Sequence, residues 1–390
     1  MSETNVMTIN MGPQHPATHG VLRLLLELDG EVVVSVVPHI GYLHRGLEKL
    51  AESMTYPQAL TLTDRMDYTS GFSNNLSYCL AVEKLLAIEI PKRAQYLRVL
   101  LSELQRIAAH LLWLGTHALD LGAMTALFYT FRERETILEV MELVTGARLT
   151  PSFVRIGGLA ADIPETFLPR VKAFVEEFPG HIDEYETLLT ENIIWKKRTR
   201  GIAFLSGADC LNYGVTGPPL RAAGVNYDVR KAYPYSSYDE FDFEIPLGTK
   251  GDVYDRYLVR LKEMRQSLRI VKQAAERLPE GPVAADLPKV VPPAKDAVGK
   301  DLAALIRHFK IMEGGFEPPC GEVYASIESS KGELGFYLIS DGTNKPFRMR
   351  VRTPSFANLG ALPKMIVGEM IADVVAAVGS IDIVLGEIDR

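Results

Sequence analysis

The chain has 390 residues, of which 47% are hydrophobic and 23% are charged, as in a globular protein with a large buried core. Its net charge of −7 argues against nucleic-acid binding, which usually needs a basic surface. The length is compatible with two or three domains, or with one large core and an attached lobe.

The three cysteines, Cys79, Cys210 and Cys320, lie far apart and form no Cys-x-x-Cys pair. This spacing argues against a disulfide framework and against a zinc or iron–sulfur site built from cysteines. It predicts isolated buried thiols in a reducing compartment.

The N-terminus has no charged and apolar pattern of a signal peptide, and residues 370–386 are too short and too charged to span a bilayer. We therefore expect a chain that is soluble by itself and that reaches a membrane only through partners.

The first forty residues predict a small antiparallel sheet. Strand-like alternation covers residues 6–11, 21–28 and 31–37, and the Asp29-Gly30 pair between the last two is a hairpin signal.

Helical periodicity follows from about residue 43 to residue 146 and returns over residues 254–275. Residues 68–86 predict one helix, and apolar residues from Leu97 to Leu114 are spaced 3 and 4 apart, as on one face of a long helix. Further stripes cover 128–146 and 254–275. Several such stripes need one another to become buried, which predicts a helical bundle.

The remaining segments are irregular or short. Residues 214–246 are rich in Gly, Pro and Tyr, a composition and length typical of a functional or interface segment. Five prolines in residues 279–294 predict a surface linker. Two strands, 321–327 and 335–339, are predicted around the connection 328–332, and an apolar helix is predicted over 365–378.

Several clusters could carry chemistry, but each also has a structural interpretation. The loop 12–20 holds His15 and His19 between strands, and rigid loops often make ligand contacts. Residues 38–46 and 64–68 combine ionisable and aromatic side chains, which are as typical of ion pairs at helix ends. Asp120 follows the Leu97–Leu114 stripe, where it could cap a turn, orient a histidine or meet an arginine.

Two signatures are missing from the sequence. It has no Gly-x-Gly-x-x-Gly or Walker-type phosphate loop, which argues against a nucleotide site. It also lacks a Ser–His–Asp pattern for nucleophilic catalysis.

Six longer segments then carry a resemblance. They are residues 12–20 (GPQHPATHG), 41–46 (GYLHRG), 65–68 (RMDY), 131–135 (FRERE), 224–230 (GVNYDVR) and 386–390 (GEIDR). In this order they resemble the family of D subunits of bacterial NADH:quinone oxidoreductase, the respiratory complex I, over essentially the whole chain.

This family is similar in fold to the nickel–iron hydrogenase large subunit, whose metals are held by two Cys-x-x-Cys pairs. Asp67 and Ser70 stand where the first pair would lie, and Val384 and Glu387 where the second would lie. Nickel and iron of that kind need soft thiolates, so we expect this chain to bind no metal and no cluster.

The resemblance implies a quinone site instead. The headgroup-binding residues of the family correspond to His19 and Tyr68, and the aspartate that pairs with the histidine corresponds to Asp120. A phenol and an imidazole can each donate a hydrogen bond, and then a proton, to a carbonyl oxygen that becomes negative. An adjacent carboxylate fixes the imidazole tautomer and favours its charged form.

The electrons are expected from a 4Fe-4S cluster in a partner, and Arg45 and Arg65 are expected to lie near that cluster. Many relatives carry a histidine before the Arg-x-Gly-Gly turn, whereas this chain has Leu149-Thr150-Pro151-Ser152-Phe153-Val154 there. Any proton-linked tuning of the cluster potential by that residue is therefore in doubt.

The expected fold is mainly α with small β parts (α+β): a hydrogenase-like helical bundle with an N-terminal antiparallel sheet and a short C-terminal β segment. The expected domains are a β lobe (1–42), the bundle (43–278) with an irregular insertion at 200–250, and a C-terminal part (279–390) that returns to the quinone cavity.

The expected function is quinone binding in the peripheral arm of a proton-pumping NADH:quinone oxidoreductase. The quinone would be ubiquinone or menaquinone, and the isolated chain would have no activity. Expected partners in complex I are the B subunit, which holds the iron–sulfur cluster, the C and I subunits, and the H subunit in the membrane. The expected location is the cytoplasmic face of the bacterial cell membrane.

Two alternatives remain open at this stage. One is a non-catalytic scaffold that only packs partners together. The other is the same kind of subunit in a ferredoxin- or deazaflavin-dependent quinone reductase.

Overall fold

A computed structural model describes residues 6–14 and 19–390. Most of these residues are helical. The helices are α1 (Leu47–Ala51), α2 (Tyr56–Thr63), α3 (Gly71–Leu86), α4 (Lys92–Asp120), α5 (Met124–Thr145), α6 (Phe167–Tyr185), α7 (Ile193–Thr199), α8 (Gly207–Tyr213), α9 (Pro218–Ala222), α10 (Val229–Ala232), α11 (Val253–Glu276), α12 (Lys295–Val298), α13 (Leu302–Gly314), α14 (Pro354–Gly360), α15 (Leu362–Ile366), α16 (Ile371–Ser380) and α17 (Leu385–Asp389).

The strands form three small antiparallel sheets. Their bounds are β1 (Val6–Met11), β2 (Arg23–Asp29), β3 (Val32–His39), β4 (Val154–Arg155), β5 (Gly158–Leu159), β6 (Gly321–Ser329), β7 (Gly332–Ser340) and β8 (Arg348–Arg352). The sheet orders are β1-β2-β3, β4-β5 and β6-β7-β8. The prediction of a mainly α fold with small β parts is confirmed.

The 29-residue helix α4 is the centre of the bundle. It packs against α3, α5 and α11, which close over its apolar stripe. The polar residues that fall off this stripe are buried as well, among them Arg98, Gln105 and Arg106. Because a buried charge needs a partner, both faces of α4 are tied to other elements, one by apolar packing and the other by ion pairs.

A second core joins the two ends of the chain. The inner face of the N-terminal sheet, with Leu24 and Leu26, packs with residues of α15 and α16 such as Met365 and Val374. Backbone hydrogen bonds fix this contact: Val33 donates to Glu369 O at 2.9 Å, and Gly368 donates to Val33 O at 2.8 Å. The first and last segments are thereby held together.

Local sequence signals explain where the long helices begin and end. The side chain of Asp252 accepts a hydrogen bond from the Asp255 amide and caps the start of α11. Helix α5 ends at Gly146, whose φ of 71° is readily available only to glycine. The helices predicted around Leu97–Leu114, over 128–146 and over 254–275 are confirmed with longer or shifted bounds.

Two expectations were wrong. The single helix predicted over 365–378 is broken into α15 and α16, because Gly368 takes a φ of 93° and its amide pairs with β3 instead. Cys320 is exposed rather than buried, whereas Cys79 and Cys210 are buried and all three thiols are free.

The sequence patterns also failed to predict several helices, of which α6 and α13 are the longest. Helix α6 contains Pro179, which argues against a helix interior, yet its apolar residues are spaced 3 or 4 apart and buried. Helix α13 has apolar residues spaced 3 or 4 apart from Leu302 to Met312, but this face, including Phe309, is largely exposed in the chain. The domain boundaries stay a prediction.

The central position of α4 predicts a large cost for removing one of its apolar side chains. Leu104, which is 1% exposed, fills the interface of α4, and Leu104→Ala is expected to lower the free energy of unfolding by about 3 kcal/mol. Denaturant unfolding would measure this. Leu302→Ala, at a helical leucine that is 70% exposed, is the control and should change the value by less than about 0.5 kcal/mol. Equal costs for the two variants would contradict the assigned core.

Candidate functional site

Four of the six sequence motifs meet at one place. The carboxylate of Asp389 accepts hydrogen bonds from the amides of Gly41 at 2.8 Å and Leu43 at 2.7 Å, which joins motif 41–46 to the C-terminal motif. At Gly386 a Cβ atom would lie 2.7 Å from the Met66 carbonyl oxygen, so only glycine lets the C-terminus pack on motif 65–68. His19, from the first motif, faces the same region.

The other two motifs are used elsewhere. Glu133, of motif 131–135, accepts a hydrogen bond from the Tyr185 hydroxyl. Asp228 and Arg230, of motif 224–230, form a buried ion pair at 2.6 Å that extends to Glu103 on α4. These two segments hold the bundle together rather than line the site.

The centre of the site is Lys331, at the turn between β6 and β7, which is 1% exposed. Its ammonium group lies 3.0 Å from Asp67 Oδ2 and 2.8 Å from the Thr69 hydroxyl. Asp382 Oδ2 is 3.8 Å away. A buried ammonium is stable only with such partners, and these carboxylates raise the pKa of Lys331, so it is charged at neutral pH.

Tyr68 lies beside this ion pair, in the segment between α2 and α3. Its side chain is 45% exposed, so the ring is accessible from outside the chain. Burial of the phenol and the charge of Asp67 raise its pKa, while Lys331 and Arg45 act in the opposite direction. Tyr68 is therefore a protonated phenol at neutral pH, and it can donate a hydrogen bond.

His19 faces the same cation from the N-terminal loop. Its Nε2 atom is buried without a hydrogen-bond partner among the described residues. Burial first, and then the charge of Lys331, lower the pKa of His19 to about 4. The free site thus holds a neutral imidazole, in contrast to the charged form that a neighbouring carboxylate would favour. His15 lies outside the described residues.

Asp120 is the last residue of α4 and is partly buried. Its position at the end of the apolar helix is as predicted. The pairing of Asp120 with His19 stays a prediction.

The guanidinium group of Arg45 connects motif 41–46 with motifs 65–68 and 386–390 by hydrogen bonds. It donates to the Arg65 carbonyl oxygen at 2.6 Å and to the Gly386 carbonyl oxygen at 3.3 Å. Both Arg45 and Arg65 have exposed side chains on this side of the site. Two exposed cations near Tyr68 could interact with a negatively charged group of a partner.

The four positions where hydrogenase cysteines would stand now have different roles. Asp67 pairs with Lys331, and the Ser70 hydroxyl donates to Ser73 at 2.9 Å. Val384 is buried, and Glu387 accepts a hydrogen bond from the Ser355 hydroxyl at 2.8 Å. In the part of the chain that the structure describes, no three His, Cys, Asp or Glu side chains are arranged to hold a metal ion.

Sequence reasoning missed Lys331 and Asp382 as members of the site. Lys331 is predicted only as part of a connection between two strands, and Asp382 only as part of a lost metal motif. A lysine directly before the Gly332 turn gives no local signal, because Asp67 and Thr69 lie more than 260 residues away in the sequence and Asp382 lies on a third segment.

A buried polar network continues from the site into the bundle. His110 Nε2 on α4 lies 3.0 Å from Glu263 Oε2 on α11. Glu263 also contacts Arg221 at 2.7 Å, and Arg221 contacts Glu328 at 2.8 Å. Burial lowers the pKa of His110, so this histidine is neutral beside an ionised glutamate. This network connects α4, α9, α11 and β6.

The fold and the converging motifs define a mainly helical protein with a buried ion-pair site. The family model described as "Respiratory-chain NADH dehydrogenase, 49 Kd subunit" matches residues 120–390, and the chain belongs to this family of oxidoreductase subunits. The resemblance drawn from the six motifs is confirmed.

Curated relatives match over the full length. The chain is 57% identical to the D subunit of the NADH-quinone oxidoreductase of Geotalea uraniireducens, with 100% of both chains covered. It is 55% identical to the D subunit of Geobacter sulfurreducens over 390 residues, again with 100% of both chains covered. It is 58% identical to the D 1 subunit of Solibacter usitatus, over 98% of this chain and 94% of that one.

In residues 6–14 and 19–390, none of the helices combines the length and apolar character that crossing a membrane requires.

The central role of Lys331 predicts a pH-dependent loss of stability when its charge is removed. Lys331→Met leaves buried carboxyl groups without their cation and should lower the free energy of unfolding by about 3–5 kcal/mol at pH 8. The loss should be smaller at pH 5, because the carboxyl groups can then take up protons. Denaturant unfolding at both pH values measures this difference.

The control for this experiment is Lys364→Met, at an exposed lysine of α15, which should change stability by less than about 0.5 kcal/mol at either pH. A loss that is the same at pH 5 and pH 8 would show that the carboxyl charges around Lys331 do not cause it.

Proposed function

We propose that this chain is the quinone-binding subunit in the peripheral arm of a proton-pumping NADH:quinone oxidoreductase. It would receive electrons from an iron–sulfur cluster of a partner subunit and protonate the headgroup of a bound quinone. The observation that carries the proposal is that motifs 41–46, 65–68 and 386–390 converge at the buried Lys331–Asp67 pair, directly beside Tyr68, which the resemblance assigns to the headgroup.

The protonation states of the two residues fit this role. Tyr68 carries its phenolic proton at neutral pH, and the neutral imidazole of His19 has one N–H group. Each can donate a hydrogen bond to one of the two carbonyl oxygens of a quinone. The hydrogen bonds would hold the headgroup between these residues, and the exposed side of Tyr68 leaves a route for its entry.

Electron transfer to the quinone changes the balance of charge. Negative charge on the headgroup raises the pKa of a neighbouring imidazole and favours transfer of the phenolic proton to oxygen. The buried ammonium of Lys331 stabilises this negative charge and the phenolate that Tyr68 would become. One proton comes from Tyr68, and the second from His19 after its imidazole has taken up a proton from water. Two electrons from the partner's cluster and these two protons convert the quinone to a quinol, which is neutral and can leave.

The proposed electron donor is a 4Fe-4S cluster in the B subunit of complex I. Arg45 and Arg65 present two exposed cations near the site, and such charges would raise the reduction potential of a cluster nearby. The quinone would be ubiquinone or menaquinone, since both have the two carbonyl oxygens that the site addresses.

Exposed apolar side chains support the proposal that partners cover this chain. Phe128 on α5 is 63% exposed, and Leu302 and Phe309 on α13 are 70% and 63% exposed. Large exposed apolar residues that cluster on a helix are typical of protein interfaces. The proposed partners are the B, C and I subunits and the H subunit in the membrane, which would hold the chain at the cytoplasmic face of the cell membrane.

Tyr68→Phe in the assembled complex removes one hydroxyl group and is expected to lower the turnover of quinone reduction by about 100-fold, because the phenolic proton is lost as a general acid. His19→Ala should lower it to a comparable extent. Electron transfer from NADH to ferricyanide should persist in both variants, since ferricyanide accepts electrons without this site. Both rates can be measured in isolated membranes.

Tyr213→Phe is the matched control, because Tyr213 on α8 has the same exposed fraction of 45% as Tyr68. It should leave quinone reduction unchanged. Wild-type quinone turnover in both the Tyr68→Phe and the His19→Ala complexes would refute the assigned site.

A further inference from the structure

The strand β8 presents three arginines on its outer face. They are Arg348, Arg350 and Arg352. Met349 and Val351 alternate with them and are at most 2% exposed. Because the side chains of a strand point alternately to its two faces, the apolar pair enters the core and the arginines stand on the surface of the sheet. The outer face of β8 is therefore a row of positive charge.

Aromatic side chains continue this row into a cleft between the sheet and α14, the β8 cleft. Tyr337 on β7 pairs across the strands with Arg350, and Tyr324 on β6 pairs with Tyr337. A Cβ atom at Gly335 would lie 2.2 Å from the Tyr324 hydroxyl oxygen, so only glycine lets this ring lie across β7. Phe356 of α14 also lines the cleft, whose volume of about 460 Å³ lies within the range of ligand sites.

The β8 cleft has three guanidinium groups, those of Arg350, Arg352 and Arg390, and no carboxylate among its described lining residues. Arg350 and Arg390 share one acid outside the lining, Glu48, at 3.2 Å and 3.7 Å. Arg352 donates to two backbone carbonyl oxygens and to the Thr216 hydroxyl, which are all neutral. The three cations thus share a single ion-pair partner, and the cleft keeps a net positive charge.

The other acids near this face are bound to other partners. Glu322 and Glu333 each accept a hydrogen bond from a tyrosine of the cleft. Asp389 accepts two from backbone amides, and Glu387 accepts one from the Ser355 hydroxyl. Each of these carboxylates is stabilised by its own hydrogen bonds, so the guanidinium groups of the cleft remain available.

The backbone edge of β8 is closed, so another chain would bind the face of the sheet rather than extend it. Strand β8 is the last in the order β6-β7-β8. The Val351 amide donates to Glu48 at 2.8 Å, and the Val351 carbonyl oxygen accepts from Arg390 at 3.0 Å. These two side chains occupy the backbone groups that an added strand would need.

The composition of this face is typical of a protein interface. Phe356 is 46% exposed, with the guanidinium group of Arg390 5.0 Å from its ring centre, and Tyr324 is 39% exposed. Arginine and aromatic side chains are enriched at protein interfaces, and a guanidinium group is more weakly hydrated than an ammonium group. The chain belongs to a family of subunits of a respiratory NADH dehydrogenase, so other subunits are its natural partners.

We propose that the β8 cleft is a docking site for an acidic segment of another subunit of the complex, with a carboxylate of that segment bound by Arg350 and Arg352. The net positive charge selects this partner, because a carboxylate supplies the missing negative charge and accepts two parallel hydrogen bonds from a guanidinium group. An apolar side chain of the segment would pack on Phe356. The inference goes beyond the proposed function, since such a contact would serve a quinone-binding subunit and a scaffold subunit equally.

Charge reversal at Arg350 in the assembled complex tests this proposal. The Arg350 side chain is 59% exposed, and its acid Glu48 would retain two other donors, so Arg350→Glu is compatible with folding. This chain should dissociate from the complex about tenfold faster than in the wild type, because like charges then face each other across the interface. Added salt should accelerate dissociation of the wild type more than that of the variant, since the variant lacks the attraction that salt screens. Native gel electrophoresis over a series of salt concentrations measures both effects.

The matched control is Arg170→Glu on α6. The Arg170 side chain is 62% exposed and also has one carboxylate partner, Glu139 at 3.9 Å. This variant should dissociate at the wild-type rate and with the wild-type salt dependence. Equal dissociation rates for Arg350→Glu and Arg170→Glu would overturn the proposal.

A photo-crosslinking residue in the cleft identifies its occupant. With Phe356→p-benzoylphenylalanine in the assembled complex, we expect a cross-link to a peptide of another subunit that contains Asp or Glu. Replacing that acid by arginine should restore slow dissociation to the Arg350→Glu complex, because opposite charges then face each other again. The docking site is refuted by a cross-link only to lipid or to a second copy of this chain, by no cross-link, or by the absence of rescue.

Discussion

One buried ammonium group organises the candidate site. Lys331 reaches its position through the β6–β7 turn, Asp67 through the segment between α2 and α3, and Asp382 through the chain after α16. A charge removed from water in this way is stable only while its partners remain in place, so the three segments are bound to one another. His19 and Tyr68 then face a common cation, although 48 residues and two sheet strands separate them along the chain.

The same region contains ionisable side chains at positions that the resemblance to the hydrogenase large subunit assigns to lost metal ligands. Two of the positions that would carry thiolates in a hydrogenase are acids here, Asp67 and Glu387. Without a cation of their own these acids could not both be ionised in the interior. Lys331 supplies one positive charge, and burial raises the pKa of Glu387 to about 8, which favours its neutral form.

The sequence was sufficient for those features that depend on local patterns. Local signals in a short stretch of sequence were enough to specify several elements. They are the spacing of apolar residues in α4 and α11, the glycine at the end of α5 and the hairpin at Asp29-Gly30. The sequence was insufficient where contacts between distant segments determine the local structure. Gly368 breaks the predicted final helix because its amide pairs with β3, and α6 forms despite Pro179 because its apolar face becomes buried.

The residues of the candidate site fall into the same two groups, those that the sequence indicates and those that only the folded chain brings together. The resemblance to the family was enough to propose His19, Tyr68 and Asp120 as candidates, the first two because they lie within its recognisable motifs. It could not select Lys331, whose importance comes only from the approach of Asp67 and Asp382 in the folded chain. The protonation state of His19 was also beyond the sequence, because burial and the charge of Lys331 together lower its pKa, and both are properties of the tertiary structure.

A structure of the assembled complex with a bound quinone, determined by electron cryo-microscopy, tests the central claim most directly. We expect one headgroup oxygen within about 2.6–3.2 Å of the Tyr68 hydroxyl and the other at the same distance from a ring nitrogen of His19. We also expect Lys331 to keep its contact with Asp67 beneath the headgroup. A quinone headgroup bound away from Tyr68 and His19 during turnover would contradict the claim.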